Sequence, residues 1–507
     1  MSLASLRARL SPPAGGGAPL APSQLIAELH PRLAATAGVF IHLVPLPALL
    51  ARCAELEAQP PGSRGALWGV PFAVKDNVDV AGMPTTAACP AFEYTPAASA
   101  PAVDALLAAG GVMVGKTNLD QFASGLVGTR TPYGVAPNAF DTRFIPGGSS
   151  SGSAAAVGAG LVSFALGTDT AGSGRVPAGY NGIVGIKPTV GSVSSVGVVP
   201  ACAALDCLTV FAGSVGDAAE VAEIMRSADA GPADVWRRTP APARRPPAPK
   251  APFRFAVPGP EFLEWDGAGG PEMAAASAEQ FAAAVARLQS VGGTLVDVDF
   301  SPFAEVAAML YQSSFVAERY SGIRAFLDAG APGGAAAAAA GGGGGPEAAL
   351  AQQRALNSDE RLLPVTRAII SGSGKFTAAD VFDDTARMAP YLVAEVAAEE
   401  GAAPPSWPKN AKNGRFTNFV NLLDMAGIAV PSGLLRADYG SGPGAATPRA
   451  ALLKAAGGPA SVVMPFGVTL LVPAWHDDWV WGVAADMVAA AGLGCGPEGH
   501  GVTPVRL

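Results

Sequence analysis

Two glycine- and serine-rich segments carry side chains that could do chemistry. Pro146-Gly-Gly-Ser149-Ser-Ser-Gly152-Ser-Ala opens onto a run of alanines, and Gly167-Thr-Asp169-Thr-Ala171-Gly172-Ser173-Gly-Arg175 follows the apolar stretch Val162–Leu166. Ser149 and Ser173 are 24 residues apart. That spacing suits one helix out and one strand back, so the second loop returns beside the first. Thr170, Ala171 and Gly172 are small enough for the backbone N–H groups of this turn to converge on one anion, the geometry of an oxyanion hole. A serine hydroxyl is a weak nucleophile without a base. Histidine is scarce, with four in the chain: His30, His42, His476 and His500. Lys75 offers an alternative base. It closes the apolar, strand-like run Trp68-Gly-Val-Pro-Phe-Ala-Val-Lys75, where desolvation would push a lysine down from about 10.4 toward neutrality. Taken singly, Ser149 reads as a helix cap, Lys75 as a surface lysine and Ser173 as a turn serine. Together they read as serine nucleophilic catalysis with a lysine base.

Three other motif matches do not survive their context. Gly110 to Thr117 fits the phosphate-binding expression G-x4-G-K-[ST], but that loop must follow a strand, and here Val112–Val114 is itself the strand candidate. Gly148-Ser149-Ser150-Ser151-Gly152 fits the nucleophile elbow G-x-S-x-G, which needs a preceding strand and a later histidine. Arg143–Gly147 makes a poor strand, and only His476 and His500 lie downstream. Gly494, Gly496 and Gly499 fit GxGxxG with too few residues beyond for a Rossmann helix.

The elements that must position these residues follow from the patterning. Residues 24–58 carry apolar positions at helical spacing, broken at Pro45 and Pro47. From 67 to 230, strand candidates (Val70–Val74, Val112–Val114, Val162–Leu166, Val184–Ile186) alternate with helix candidates (Ala102–Ala109, Asn118–Leu126, Ser151–Leu161, Val215–Met225). Such alternation predicts an α/β sheet covered by helices on both faces. Further on, Phe253–Val257 and Thr294–Phe300 read as strands and Ala274–Val291 as a helix, and α/β texture returns at 415–435 and 461–490. The expected organisation is an N-terminal helical segment (1–66), a core (67–237), a Pro-rich linker (238–252), a remainder (253–490) interrupted by a low-complexity insertion (329–346), and a tail (491–507).

Composition excludes several classes. The chain has 507 residues, half of them hydrophobic and 15% charged, with net charge −8. That acidic balance leaves no electrostatic footprint for nucleic acid. Five cysteines without a CxxC point away from a disulfide framework and toward a reducing compartment, the cytoplasm. No His/Cys pair has metal-ligand spacing, so no metal is expected. The longest uncharged run is built of Gly, Ser and Ala and does not read as a membrane span. Arg7, Arg9 and the absence of acids before Glu28 fit either an organelle transit signal or a frayed polar start.

The phrases GVPFAVKDN, GKTNLDQF, PGGSSSGSAAAV, LGTDTAGSGRVPA and GIVGIKPT, in this order over about 67–190, resemble the amidase signature family. A weaker likeness runs to about 490. The resemblance implies a large mixed central sheet and a triad of Lys75, Ser149 after a cis peptide bond, and Ser173. The family pattern usually has glycine where Ser151 stands, which leaves Ser150 as a competitor to Ser149 for the relay role. Within the family, PTTAACPAFEYTP and GVVPACAALDCLTVFA resemble the allophanate hydrolases. In these, a Tyr and an Arg eight residues later hold the substrate carboxylate, positions matched by Tyr311 and Arg319. Eight residues is a little over two helical turns, which would leave both side chains flanking one pocket.

The implied reaction is hydrolysis of allophanate through a Ser–cisSer–Lys mechanism, without a cofactor. The expected partner is the small-molecule substrate, with functional coupling to a separate urea carboxylase and a homodimeric state. The resemblance also implies that an additional C-terminal domain found in bacterial relatives is absent here. The alternatives are a broader small-molecule amidase for malonamate-like acids, with Arg175 reading the carboxylate, a non-catalytic subunit of the same fold, and a tRNA-linked amidotransferase subunit.

Overall fold

Residues 71–75 read Pro-Phe-Ala-Val-Lys, and all five are buried in strand β2 (Pro71–Lys75) of the computed structural model. Alternation along a strand sends Phe72 and Val74 to one face and Ala73 to the other, and the two faces belong to separate cores. The split recurs in β3 (Val112–Thr117), where Met113 opposes Val112 and Val114, and in β4 (Phe164–Asp169), where Phe164 and Leu166 oppose Ala165. Phe72 and Phe164 stack with ring centroids 5.0 Å apart. Burying each such large apolar side chain contributes about 1.5–3 kcal/mol. On the second face, Ala154, Ala155 and Ala156 of the helix Ser151–Gly158 share a core with Ala73, Val112 and Ala165. Small residues on both sides allow close approach, and all eight residues of that helix are buried.

The structure describes residues 1–11, 19–229, 231–239, 252–263, 265, 270–329, 354–393, 414–438, 455 and 461–499. Most of the Pro-rich linker, nearly all of the low-complexity insertion, the end of the tail and His500 lie outside them. The main sheet adds β1 (Phe40–Leu43), β5 (Val184–Lys187), β6 (Cys207–Ala212), β9 (Met425–Asp438) and β10 (Ser461–Pro473), in the order β1-β3-β2-β4-β6-β5-β9-β10. It is mixed: β3, β2 and β4 run parallel, and the remaining neighbours pair antiparallel. A separate two-stranded parallel sheet joins β7 (Phe253–Phe255) and β8 (Gly293–Leu295). Strands from residues 40–43 and from 425–473 thus enter the same sheet as the 67–237 segment. Among the described residues no helix is long and apolar enough to cross a membrane.

Several expectations need correction. Asn118–Leu126 is not a helix but a loop with one short 3-10 turn, Gln121–Ala123. Its polar side chains capture backbone groups instead: the Asp120 carboxylate accepts from the N–H of Val127, Gly128 and Arg130. Residues 24–58 hold two helices, Pro22–Ala35 and Leu46–Glu57, with β1 between them. The strands expected at Val162 and Thr294 are displaced or shortened to Phe164–Asp169 and Gly293–Leu295. The N-terminus is not frayed: the helix Leu3–Leu10 buries Leu3, Leu6 and Leu10.

Because β2, β3 and β4 are parallel, Lys75, Thr117 and Asp169 end them on the same edge of the sheet. Open α/β sheets hold their ligands outside the carboxyl ends of strands, and the two Gly/Ser loops gather there.

Candidate active site

Lys75 is fully buried, and its Nζ donates to Ser149 Oγ and to Thr168 Oγ1, both at 2.7 Å. Burial disfavours the ammonium and pushes Lys75 down to about 7, although Asp120, Asp206 and Asp169 pull the other way. The lysine is therefore poised to be a neutral amine near physiological pH. The Gly148–Ser149 peptide bond is cis, as the resemblance implied. Asp120 organises this corner. Its N–H donates to Ser149 O at 3.0 Å, and a Cβ at Gly148 would lie 2.2 Å from its carboxylate, so only glycine fits. Ser150 is separated from Ser149 by its contacts: its Oγ donates to Thr168 O and accepts from Thr168 N–H, at 3.2 and 3.3 Å. The Ser150 hydroxyl is occupied by the strand, and the Ser149 hydroxyl by Lys75.

Ser173 is buried, with its Oγ 3.5 Å from Gly125 O, and no hydrogen bond joins it to Ser149 among the described residues. The turn that carries it is braced by a carboxylate. Asp169 accepts from Gly172 N–H at 2.7 Å, from Gly174 N–H at 3.0 Å, and from Arg175 Nε and Nη2 at 2.9 Å each. Burial works against the Asp169 charge, but Arg175, with Lys187 and the Gly172 N–H, holds the carboxyl below its ordinary range. This corrects one part of the expected oxyanion hole. The Gly172 N–H is bonded to Asp169, whereas the N–H groups of Thr170, Ala171 and Ser173 have no protein acceptor among the described residues. Gly172 itself has φ +124°, and a Cβ there would meet Thr417 Oγ1 at 2.5 Å, so glycine is required.

Arg175 is corrected too. Its guanidinium holds Asp169 and also donates to Thr417 O and Asn421 Oδ1, at 3.1 and 3.2 Å. It is committed to the fold rather than to a substrate carboxylate. Truncating one member of a buried ion pair strands the other, so Arg175→Ala should cost about 3–5 kcal/mol, read as a fall in unfolding free energy in urea. A change below about 1 kcal/mol would show that the pair is not what holds the turn. Asp120, Asp169, Thr168 and Asn421 escaped sequence reasoning. The two aspartates lie inside quoted motifs, but nothing in their spacing shows that they accept backbone N–H groups.

Tyr311 and Arg319 do meet, though not on one helix. Tyr311 lies near the end of the helix Ser301–Gln312 and Arg319 on Ala317–Gly322; Ser313 between them is extended, with ψ −175°. A 3-10 turn, Ser314–Val316, follows the break, and Arg319 Nη2 donates to Tyr311 OH at 3.0 Å with the guanidinium 4.8 Å from the ring centre. Arg319 Nη1 donates to Ser124 Oγ at 3.4 Å. Ser124 precedes Gly125, whose carbonyl faces Ser173, so one short loop links the guanidinium to the Ser173 hydroxyl. Arg319 is 3% exposed, its Nε has no partner, and among the described residues no carboxylate forms a salt bridge with it. No group of three or more His, Cys, Asp or Glu side chains suited to a metal occurs among the described residues.

A family model described as Amidase matches residues 26–361. The chain belongs to the amidase family: it is an amidohydrolase enzyme with the amidase signature fold. Among its relatives, the urea amidolyase of Lachancea kluyveri is 41% identical over 386 residues, which cover 72% of this chain and 19% of the relative. The chain thus spans about a fifth of the length of that protein. The allophanate hydrolase of Kluyveromyces lactis superposes with a TM-score of 0.75 at 32% identity, covering 97% of this chain and 73% of that one. A glutamyl-tRNA(Gln) amidotransferase subunit from Symbiobacterium thermophilum is 38% identical over 320 residues, 61% of this chain and 63% of the relative.

Proposed function

We propose that this protein hydrolyses allophanate, with Ser173 as nucleophile, Ser149 as proton relay and Lys75 as base. The observation that carries the substrate reading is Arg319. A buried guanidinium with no carboxylate in contact is costly. This one bonds Ser124, one residue before the carbonyl that faces Ser173. Asp206 and Glu318 act on the guanidinium only at longer range; a substrate carboxylate would be its first direct ionic partner, with the Tyr311 phenol as a second donor. The allophanate hydrolase and urea amidolyase relatives support the same substrate.

Allophanate is a urea with one nitrogen carboxylated. With its carboxylate on Arg319, its terminal carbonyl is offered to Ser173. The Ser173 hydroxyl turns from Gly125 O to Ser149, its proton passes through Ser149 to Lys75, and Oγ bonds to the carbonyl carbon. The developing oxyanion is taken by the N–H groups of Thr170, Ala171 and Ser173, none of which has a protein acceptor among the described residues. Collapse breaks the C–N bond, and the leaving nitrogen takes the proton back and departs as ammonia. Water then cleaves the acyl-enzyme along the same path, releasing N-carboxycarbamate, which loses carbon dioxide without the enzyme. A separate urea carboxylase would supply the substrate.

The test is carboxylate recognition. Charge-assisted hydrogen bonds contribute about 1.5–3 kcal/mol. Arg319→Ala should therefore lower kcat/KM for allophanate by about 10- to 150-fold. Arg319→Lys should also be poor, because an ammonium cannot make the forked contact, and Tyr311→Phe should be milder. Steady-state ammonia release measures all three. An Arg319→Ala enzyme with unchanged kcat/KM would remove the basis for a carboxylated substrate.

A further inference from the structure

Thr170 and Asp206 face each other just past a strand pair. The β4–β6 ladder ends with Asp169 opposite Cys207, so the next residues outward are Thr170, which leads into the Ser173 turn, and Asp206. Their side chains join, with Thr170 Oγ1 donating to Asp206 Oδ1. Asp206 is itself held from behind. Its carboxylate accepts from Ala201 N–H at 2.8 Å and Cys202 N–H at 3.2 Å, and its own N–H donates to Cys202 O at 2.9 Å. Asn421 Nδ2 closes the other side, donating to Asp169 O and Leu205 O at 2.8 and 2.9 Å. Asp206 is thus a fixed post, and Thr170 is the point where the turn is tied to it.

We propose that Asp206 is a positioning residue for the reaction: through Thr170 it fixes the turn whose N–H groups and Ser173 hydroxyl must meet the reacting carbonyl. An oxyanion site acts only when its donors are already aimed at the developing charge. A turn freed from Asp206 would still bind substrate but would stabilise the transition state less. Asp206 is also one of three carboxylates facing Lys75. Asp120 faces it from the loop after β3, Asp169 from the end of β4, and Asp206 from the residue before β6. Loss of one of these negative charges makes the lysine ammonium less favoured. Burial pushes the Asp206 carboxyl up, against the pull of Thr170, the Cys202 and Ala201 N–H groups and Arg319, so the Asp206→Asn variant is paired with one at Thr170 that leaves the carboxyl in place.

The role rests on the amidase reading and holds for whichever amide the enzyme turns over. The experiment therefore uses two substrates, allophanate and its uncharged counterpart biuret, in which a carboxamide replaces the carboxylate. Thr170→Val and Asp206→Asn should each lose about tenfold to a hundredfold in kcat on either substrate, with KM nearly unchanged, and Thr170→Ser should restore the rate. The acid limb of the pH–rate profile should move to lower pH in Asp206→Asn and stay in place in Thr170→Val. If Asp206→Asn does not fold, the Thr170 pair decides. Wild-type kcat in Thr170→Val, or a loss that Thr170→Ser does not rescue, overturns the proposal. A wild-type preference for biuret would instead overturn the substrate reading and leave the Asp206 role standing.

Discussion

Ser173→Ala should lower ammonia release by about 10⁴-fold or more while leaving the thermal unfolding curve in place. Removing the nucleophile of a serine hydrolase costs factors of this order, because the remaining binding and oxyanion groups retain only a small part of the acceleration. The nearby hydroxyls cannot take over. Ser149 is engaged by Lys75 at 2.7 Å, and Ser150 is bonded on both sides to the Thr168 backbone. Ser173 makes one long contact, to Gly125 O at 3.5 Å, so its loss disturbs little packing. Retained turnover in this variant, or an acyl group trapped on Ser150 and found by mass spectrometry, would assign the chemistry elsewhere.

Lys75 should set the acid side of the pH–rate profile. With the lysine pushed down to about 7 by burial, the neutral amine needed for proton transfer dominates above that pH, and the inert ammonium below it. The rate should thus fall about tenfold per unit on the acid side, reaching roughly a hundredth of its plateau two units below the midpoint. Lys75→Ala should lose about 10²–10⁴-fold at the plateau, the usual contribution of a general base, and the limb should vanish with the group that causes it. A shallow loss with the limb intact would mean that another group accepts the proton.

What the sequence could and could not convey follows from the range of the interactions. Lys75, Ser149 and Ser173 were legible because each sits at the end of a local pattern: an apolar strand, a Gly/Ser loop before an alanine helix, and a tight turn after a strand. Strands β2, β3 and β5 were legible for the same reason, as short β-branched runs. The loop at 118–126 was misread because its hydrophobic spacing fits a helix. Only the structure shows Asp120 collecting the N–H groups of Val127, Gly128 and Arg130. The break between Tyr311 and Arg319 was hidden likewise, since Ser313 and the 3-10 turn Ser314–Val316 interrupt the helix without a proline or glycine to mark it. Arg175 reads from sequence only as a carboxylate reader in the malonamate-like alternative, and its pairing with Asp169 is visible only in three dimensions. Asn421 and Thr417 reach the site from more than 240 residues away, a distance no local pattern spans.

The central claim, that this amidase takes a carboxylated amide through Arg319, is tested most directly by the ratio of kcat/KM for allophanate to that for biuret. The two substrates share the reacting carbonyl and differ in whether a carboxylate or a carboxamide meets the guanidinium. Wild-type enzyme should favour allophanate by about 10- to 150-fold, from a contact of about 1.5–3 kcal/mol. Arg319→Ala should collapse that ratio toward one by losing allophanate turnover alone. A wild-type ratio near one, or an Arg319→Ala enzyme in which both substrates fall equally, would contradict the account and make Arg319 a structural residue.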